Sequence, residues 1–453
     1  MELSLKNVGK LHEATIHCPG FTVIAGENNS GKSTIGRALY LYLNSFYGLD
    51  TYVRSDMIEA LRRNLADPME QFDVLCRRFS HAGRRHKLAR AEEIRMNFAR
   101  QIVDENYDSV NDAISELGNS HAALYDLSDT EGIREAYPEQ YESWFSATSR
   151  IIANVQSIDS NEIGKRKVTR LTQAFFDGDI VSFGKEDETA EISVTKGGDE
   201  NSLSFIRNKK DGNDNCCEIV QNGSVTESVL YIDSPKVVDE LYDLSKRVKS
   251  NLPQYLRRYL APVRWQGPDY WSPERETEVE AEQRDQLLNA FTDAIRSDAK
   301  GYLMVNPATG LEFRQEGETR SVDIRNLSNG VKALSLLEFA IGNGALKRGD
   351  YLILDEPEIN LHPAWQVEYA RLLVMLQKTL DLNIIITTHT PYFLNAIEVY
   401  AAKAGIADKV SYYAAYSQAD GSAIVKDVSD NVEEIYQQLA APFQNLEGVQ
   451  YGT

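Results

Sequence analysis

The first 48 residues contain three short apolar runs followed by one longer amphipathic run. The third run, Phe21-Thr22-Val23-Ile24-Ala25, has the length and composition of a buried strand and is bounded by glycines. After the next loop, apolar side chains recur at helical spacing, which predicts a helix with one face packed on a sheet. These side chains are Ile35, Leu39, Tyr42, Leu43 and Phe46. The pattern predicts a strand-loop-helix unit of an α/β fold.

Between residues 50 and 230 the chain becomes more charged, and its helical segments are short. The segments 191–194 and 202–206 alternate between apolar and polar residues and predict hairpins. We expect a mainly helical insertion over residues 49–230. Proline and glycine breaks exclude a single long coiled-coil arm, and they include Pro68, Gly83, Gly118, Gly132, Pro138 and Gly164.

From residue 320 onward the α/β pattern resumes. Strands are predicted at Tyr351–Leu354, Asn383–Thr387 and Val410–Ala415. The helix between the first two begins at Pro363, a residue that suits the first helical turn. Residues 1–48 and 231–453 are therefore predicted to form one α/β head, interrupted by the insertion. The acidic stretch 273–286 is expected to be a solvated helical or mobile segment.

The chain has 453 residues and a formal net charge of −20, which argues against a surface that binds nucleic acid throughout. No apolar run approaches the roughly 18 residues that span a membrane, and the start of the chain has no signal-peptide pattern. We expect a cytoplasmic protein without membrane contact. Four cysteines lack paired CxxC spacing and are expected to be reduced: Cys18, Cys76, Cys216 and Cys217.

The loop after the third strand matches the pattern GxxxxGK[ST] between a strand and a helix, the context that this phosphate-binding motif requires. Its backbone N–H groups and the helix N-terminus are expected to bind phosphate oxygens. Lys32 would reach the β and γ phosphates and Ser33 would ligate Mg²⁺. The other expected nucleotide contacts are Gly26, Asn28, Asn29, Ser30, Gly31 and Thr34.

Two adjacent carboxylates, Asp355 and Glu356, follow the apolar strand Tyr351–Leu354. A strand end is where an open α/β sheet places its ligand site. Asp355 is expected to hold Mg²⁺, and Glu356 to orient or deprotonate the attacking water. Two acids after a strand can also form a simple turn, and the phosphate-binding loop favours the functional interpretation.

The segments Asp355-Glu356-Pro357-Glu358-Ile359-Asn360-Leu361-His362-Pro363 and Thr387-Thr388-His389-Thr390-Pro391 resemble the ABC-type ATPase heads of the RecF, SMC and OLD-like group. The resemblance covers both ends of the chain and implies a P-loop ATPase that uses ATP and Mg²⁺. It assigns the family's switch histidine, which contacts the γ-phosphate, to His389. The alternative for His389 is a histidine of a turn, whereas His362 is expected to be structural.

Upstream, the segment 326–332 resembles the ABC signature, usually LSGGQ, with departures at Asn329 and Lys332. The resemblance implies that Ser328 and Gly330 contact the γ-phosphate bound by another subunit. We therefore expect a homo-oligomer, at least a dimer, with composite ATP sites. No residue is assigned to the family's Q-loop.

The broken helices of the insertion resemble those of stand-alone anti-phage defence ATPases, the Septu ATPase PtuA and the PARIS ATPase AriA. After His389 the remaining 64 residues leave no room for a Toprim nuclease, which is expected to be a separate protein. The resemblance implies a sensor or scaffold that controls this nuclease.

Two alternatives to a defence scaffold stay open. One is a DNA-repair ATPase of the RecF or SMC type, since basic clusters at 77–78, 84–87 and 165–167 permit local nucleic-acid contact. The other, a transporter subunit, is less favoured because Lys32 and Asp355 lie unusually far apart in the sequence.

Overall fold

The computed structural model describes residues 1–80, 88–185, 187–208, 212–234, 278–306, 310–323, 326–342, 344 and 346–441. The basic cluster at 84–87 and the first part of the acidic stretch, 273–277, lie outside these ranges. The chain divides into two compact units. One consists of Met1–Tyr47 and Val168–Thr453, and the other of Gly48–Lys167.

The described strands are β1 Glu2–Val8, β2 Leu11–His17, β3 Phe21–Gly26, β4 Ala190–Lys196, β5 Asp199–Arg207, β6 Asp214–Val220, β7 Val229–Ile232, β8 Gly301–Asn306, β9 Gly310–Gln315, β10 Ser321–Asp323, β11 Tyr351–Asp355, β12 Asn383–Thr388, β13 Val410–Ser417 and β14 Ala423–Asp427. Eleven of them form one sheet in the order β6-β5-β4-β1-β2-β14-β13-β3-β12-β11-β7. The strands β8, β9 and β10 form a separate antiparallel sheet. The strands predicted from the apolar runs are thereby confirmed.

The described α-helices are α1 Lys32–Phe46, α2 Leu49–Asn64, α3 Ala66–Ser80, α4 Leu88–Val103, α5 Val110–Ala122, α6 Glu131–Ala136, α7 Pro138–Gln156, α8 Ser160–Phe176, α9 Glu278–Ala299, α10 Asn329–Gly342, α11 Pro363–Leu380 and α12 Pro391–Ala404. Residues 433–441 are also helical. The α/β class predicted from the sequence is confirmed, and the described residues between 49 and 176 are mainly helical, as expected.

The predicted hairpins at 191–194 and 202–206 fall in β4 and β5, which pair with each other. β4 also pairs with β1, so the hairpin strands extend the main sheet of the first unit. The compact helical unit ends at Lys167, short of the predicted end of the insertion at residue 230. That residues 49–230 form a separate domain inserted into the head therefore stays a prediction.

Five strands at one end of the main sheet are parallel, in the order β13-β3-β12-β11-β7. Every residue of β3 is buried, as its unbroken apolar run predicts for a strand covered on both faces. Asp355 at the end of β11 lies opposite Thr387 of β12, and Thr388 lies opposite Ala25 of β3. This register brings three carboxyl strand ends, with the loops that follow them, to one edge of the sheet.

The helix α1 packs closely on the sheet. Its predicted apolar face is buried, and a Cβ atom on Gly36 would lie 3.1 Å from Ile353 Cγ2 of β11. The glycine therefore lets the helix backbone approach the strand that carries Asp355. The phosphate-binding loop, which connects β3 to α1, is held at both ends by buried elements.

The helical unit has its own core, in which Phe72 stacks on Trp144 with ring centroids 4.1 Å apart. Several of its basic side chains form ion pairs with nearby carboxylates. Arg62 pairs with Glu59, and Arg77 pairs with Asp73 at 2.6 Å. These pairs neutralise part of the positive charge that the sequence shows in this unit.

Candidate functional site

Two residues of the loop between β3 and α1, Asn29 with φ of 68° and Gly31 with φ of 80°, have left-handed backbone conformations. A side chain at Gly26 would collide with the neighbouring strand, because its Cβ would lie 2.4 Å from the carbonyl oxygen of Ala415. The loop thus needs glycine at both ends, for close approach at Gly26 and for conformation at Gly31. It curls around the N-terminus of α1, as an anion-binding loop requires.

Lys32, the first residue of α1, is only 4% exposed. Its ammonium group donates to the carbonyl oxygens of Gly26 and Glu27 at 2.9 and 2.7 Å. It also lies 3.5 Å from Glu356 Oε1. Burial lowers the pKa of Lys32, and the nearby Glu356 carboxylate opposes this effect. The structure therefore holds one buried cation inside the loop and directs it toward the acidic strand end.

Ser33 and Asp355, the two predicted Mg²⁺ ligands, are in direct contact. The Ser33 hydroxyl donates to Asp355 Oδ1 at 2.9 Å, and Thr387 Oγ1 donates to the same oxygen at 2.5 Å. The register of β11 and β12 places Thr387 beside the carboxylate. The sequence analysis did not assign Thr387 a role, because strand register is not visible in the motif.

The second oxygen of Asp355 accepts a hydrogen bond from Tyr231 of β7 at 3.3 Å. Burial raises the pKa of Tyr231, so its hydroxyl stays a neutral donor. Tyr231 also forms a hydrogen bond with Arg37 of α1. Both oxygens of Asp355 are therefore oriented by neighbouring side chains. The sequence analysis missed Tyr231 and Arg37, because only the order of strands in the sheet brings β7 beside β11.

Glu356 has φ of 47°, an uncommon conformation for a residue with a side chain. Its N–H donates to Thr387 Oγ1 at 2.9 Å, which fixes the turn. Its Oε1 atom lies 3.4 Å from His389 Nδ1 and 3.5 Å from Lys32 Nζ. The structure thus brings together the predicted base, the predicted switch histidine and the loop lysine. His389 Nδ1 is buried and forms no hydrogen bond in the structure.

The other predicted loop residues hold the loop itself. Ser30 Oγ donates to Glu27 O at 2.7 Å, and the backbone N–H of Thr34 donates to Gly31 O at 3.1 Å. Asn29 accepts a hydrogen bond from the Lys10 ammonium. Lys10 lies in the turn between β1 and β2 and was not assigned from the sequence. Asn28 is exposed at the mouth of the loop.

The predicted signature residues lie on a different element, at the start of α10. Ser328 Oγ accepts a hydrogen bond from the N–H of Val331 at 3.4 Å, as a helix cap does. A Cβ atom on Gly330 would lie 3.0 Å from the Trp365 indole, so this position requires a very small residue. Neither residue has a described contact with the loop of its own chain. Their role toward another subunit stays a prediction.

His362 lies outside the cluster and caps α11, since its Nδ1 accepts from the N–H of Ala364 at 3.3 Å. This structural role agrees with the expectation for His362. All four cysteines lie within the described residues, and none of them forms a disulfide. Among the described residues, no helix combines the length and apolarity needed to cross a bilayer.

The donor set of the site suits magnesium and a nucleotide. Within the described ranges, no group of three or more histidine, cysteine or carboxylate side chains is arranged to hold a metal ion. Mg²⁺ commonly binds one or two protein oxygens and takes its other ligands from phosphates and water. Ser33 and Asp355, 2.9 Å apart, supply such a pair beside the buried Lys32. When bound, Mg²⁺ would neutralise phosphate charge at this point.

A glycine loop before a helix and an acidic end of the strand β11 are the features of a P-loop nucleotide-binding α/β fold. The chain belongs to the AAA ATPase domain family, whose model matches residues 1–394. This match confirms the predicted P-loop ATPase at the level of the family. A search of curated proteins found no match.

Solved structures with similarity to the chain include SMC heads. The SMC head domain from Thermotoga maritima is 12% identical with a TM-score of 0.37, over 94% of this chain and 98% of that chain. An SMC head from Pyrococcus furiosus, bound to the C-terminal domain of ScpA, is 12% identical with a TM-score of 0.33, over 97% and 98% of the two chains. The head from Pyrococcus yayanosii is 11% identical with a TM-score of 0.35, over 97% and 99%.

Replacing Lys32 tests the nucleotide site. Lys32→Ala removes the only ammonium group described inside the loop, and hydrogen bonds to charged groups contribute about 1.5–3 kcal/mol. We expect the Kd for ATP with Mg²⁺ to rise by about 10- to 100-fold, measured by isothermal titration calorimetry. Lys6→Ala, an exposed lysine of β1, is the matched control and should bind like the parent. Parental affinity in Lys32→Ala would contradict the assignment.

Proposed function

We propose that the chain binds ATP with Mg²⁺ and hydrolyses it to ADP and phosphate. The contact of Glu356 with both Lys32 and His389, at 3.5 and 3.4 Å, carries this proposal. It places a carboxylate base beside the group that would contact the β and γ phosphates. In-line attack by water needs a base at this position, and general-base catalysis contributes about 10²- to 10⁴-fold.

Each residue of the cluster has a separate part in the proposal. Lys32 and the loop N–H groups bind phosphate oxygens, while Ser33 and Asp355 hold Mg²⁺. Glu356 accepts a proton from the attacking water. His389 contacts the γ-phosphate, and the loss of this contact after hydrolysis would be the signal that nucleotide state has changed.

The variant Glu356→Gln separates hydrolysis from binding, because the amide keeps the size of the side chain but is a poor base. We expect turnover to fall by about 10²- to 10⁴-fold while ATP stays bound. Phosphate release and retention of radiolabelled ATP after gel filtration measure the two properties. Turnover at the parental rate by a folded Glu356→Gln protein would show that another group acts as the base.

We further propose that two chains form composite sites, in which Ser328 and Gly330 of one chain contact the phosphate bound by the other. The support is the position of these residues at the N-terminus of α10, where the helix dipole and the N–H groups of the first turn favour an anion. Ser328 is exposed, whereas Gly330 is buried against the Trp365 indole, which leaves no room for a side chain at this position. A symmetric dimer of this kind contains two equivalent sites.

Mixing two defective variants tests the composite site. In a 1:1 mixture of Lys32→Ala and Ser328→Ala, each mixed dimer regains one site built from the intact halves. With random assortment, about a quarter of the parental ATPase activity should return. Native mass spectrometry establishes that mixed dimers are present. If they form and the mixture is no more active than either variant alone, each site lies within a single chain.

We propose that the ATPase acts as a sensor or scaffold that controls a separately encoded nuclease in anti-phage defence. The support is the resemblance of the broken helices of the insertion, residues 49–230, to those of stand-alone defence ATPases. The charge distribution of the helical unit is compatible with this scaffold role. Because Arg62 and Arg77 are paired with carboxylates, less cationic surface is left for DNA. The alternative, a RecF- or SMC-like repair ATPase, would bind DNA directly through the remaining basic residues.

The two functions differ in what the purified chain does alone. A scaffold should cleave neither DNA nor RNA and should bind DNA weakly, with Kd in the range of about 10⁻⁴ to 10⁻⁶ M at physiological salt. It should co-purify from its source cells with a nuclease whose activity changes in the Glu356→Gln background. Tight DNA binding that strengthens ATP turnover would favour the repair function. Magnesium-dependent cleavage by the isolated chain would exclude the scaffold.

A further inference from the structure

Glu358 has no part in the proposed reaction, yet it is one of the most buried acidic side chains that the structure describes. It lies three residues after Asp355, and only 1% of its surface is exposed. Burial raises the pKa of the Glu358 carboxyl group. Burying a carboxyl group is costly unless hydrogen bonds compensate for the loss of water. A residue that served only to pack this position would therefore be apolar.

The side chain of Glu358 forms its hydrogen bonds through one oxygen, to the end of β12 and the turn after it, while its Oε2 atom is buried and has no partner among the described residues. Its Oε1 atom accepts from the Thr388 hydroxyl and, at 3.3 Å, from the backbone N–H of His389. Thr388 Oγ1 in turn accepts from the N–H of Thr390 at 3.1 Å. One carboxyl oxygen therefore fixes Thr388 at the end of β12 and the two residues that connect it to α12, His389 and Thr390.

This contact also determines where the His389 imidazole lies. His389 Nδ1 is 4.0 Å from Glu358 Oε1 and 3.4 Å from Glu356 Oε1, so the ring lies between the two acids. Because the His389 N–H is bound to Glu358, the backbone cannot move away without breaking a buried hydrogen bond. Glu358 and Glu356 belong to the same turn, so the turn after β11 carries both the base and the support for the histidine.

We propose that Glu358 is a positioning residue, which holds His389 against Glu356 by binding the backbone and the Thr388 hydroxyl of the turn after β12. This inference rests on the proposed ATPase function. Glu358 does not contact the nucleotide in this scheme and acts only through His389. A misplacement of about 1 Å in an active site lowers a rate by about 10²-fold, so loss of the support should impair catalysis more than binding.

Substitution of Glu358 tests the proposal. Glu358→Ala should lower kcat for ATP by about 10- to 100-fold and leave KM within about twofold, since the phosphate-binding loop is untouched. Glu358→Gln should restore most of kcat, because the amide oxygen accepts the same two hydrogen bonds. Glu368→Ala is the matched control, since Glu368 lies on α11 and pairs with Arg371 at the surface. Thermal unfolding of each variant excludes loss of the fold.

A second measurement does not depend on ATP hydrolysis. Diethyl pyrocarbonate modifies exposed imidazole groups, and peptide mass spectrometry reports the rate at His389. We expect this rate to rise severalfold in Glu358→Ala and to stay near the parental rate in Glu358→Gln. If the parent protein hydrolyses no ATP, the proposed function fails, while the reactivity of His389 still tests the support by Glu358.

The double variant Glu358→Ala with His389→Ala decides whether the two residues act as one unit. If Glu358 works through His389, the double variant should be no slower than His389→Ala alone. Additive losses in kcat would show that Glu358 acts independently and would overturn the proposal. Unchanged His389 reactivity in a folded Glu358→Ala protein would overturn it as well.

Discussion

The hydrogen bond between Ser33 and Asp355 is the contact on which the rest of the site depends. It joins the first turn of α1 to the end of β11, two elements at opposite ends of the sequence. Thr387 and Tyr231 hold the same carboxylate from the strands on either side. Four elements therefore meet at one side chain. The parallel register of β3, β12, β11 and β7 is what makes this meeting possible, because it aligns their ends at one edge of the sheet.

The sequence was sufficient to predict the parts of the site that depend on local backbone and residue type. The loop around Lys32 and the acids at Asp355 and Glu356 follow from short motifs beside apolar runs, and the structure places them together with His389. Tyr231 and Glu358 could not be found in this way. Their contributions come from the order of strands and from a buried contact between two turns, neither of which leaves a periodic signal in the sequence. The hairpin strands β4 and β5 were predicted, but their place in the main sheet was not.

The site concentrates polar and charged groups in a region that is otherwise tightly packed and apolar. Lys32 and Glu358 are almost fully buried, and Glu356 has a strained backbone conformation. Such groups usually destabilise a fold, and they persist where surrounding structure compensates for them. Here the compensation comes from the buried strands β3, β11 and β12 and from the hydrogen bonds of Lys32, Glu356 and Glu358. Two buried atoms of the site, Glu358 Oε2 and His389 Nδ1, have no hydrogen bond among the described residues. The arrangement is typical of a site organised for chemistry rather than for stability.

The position of β3 in the sheet affects how the chain can fold while it is being synthesised. This strand is synthesised first among the parallel strands, yet both of its neighbours, β12 and β13, begin only at Asn383 and Val410. At about 5–20 residues per second, a ribosome needs on the order of tens of seconds to supply them. During that time the apolar strand Phe21–Gly26 has two unpaired edges, which favour association with other chains. Until β12 and β13 are synthesised, a chaperone or transient burial must therefore shield the edges of β3 from other chains. The phosphate-binding loop after β3 can form only once these strands have paired.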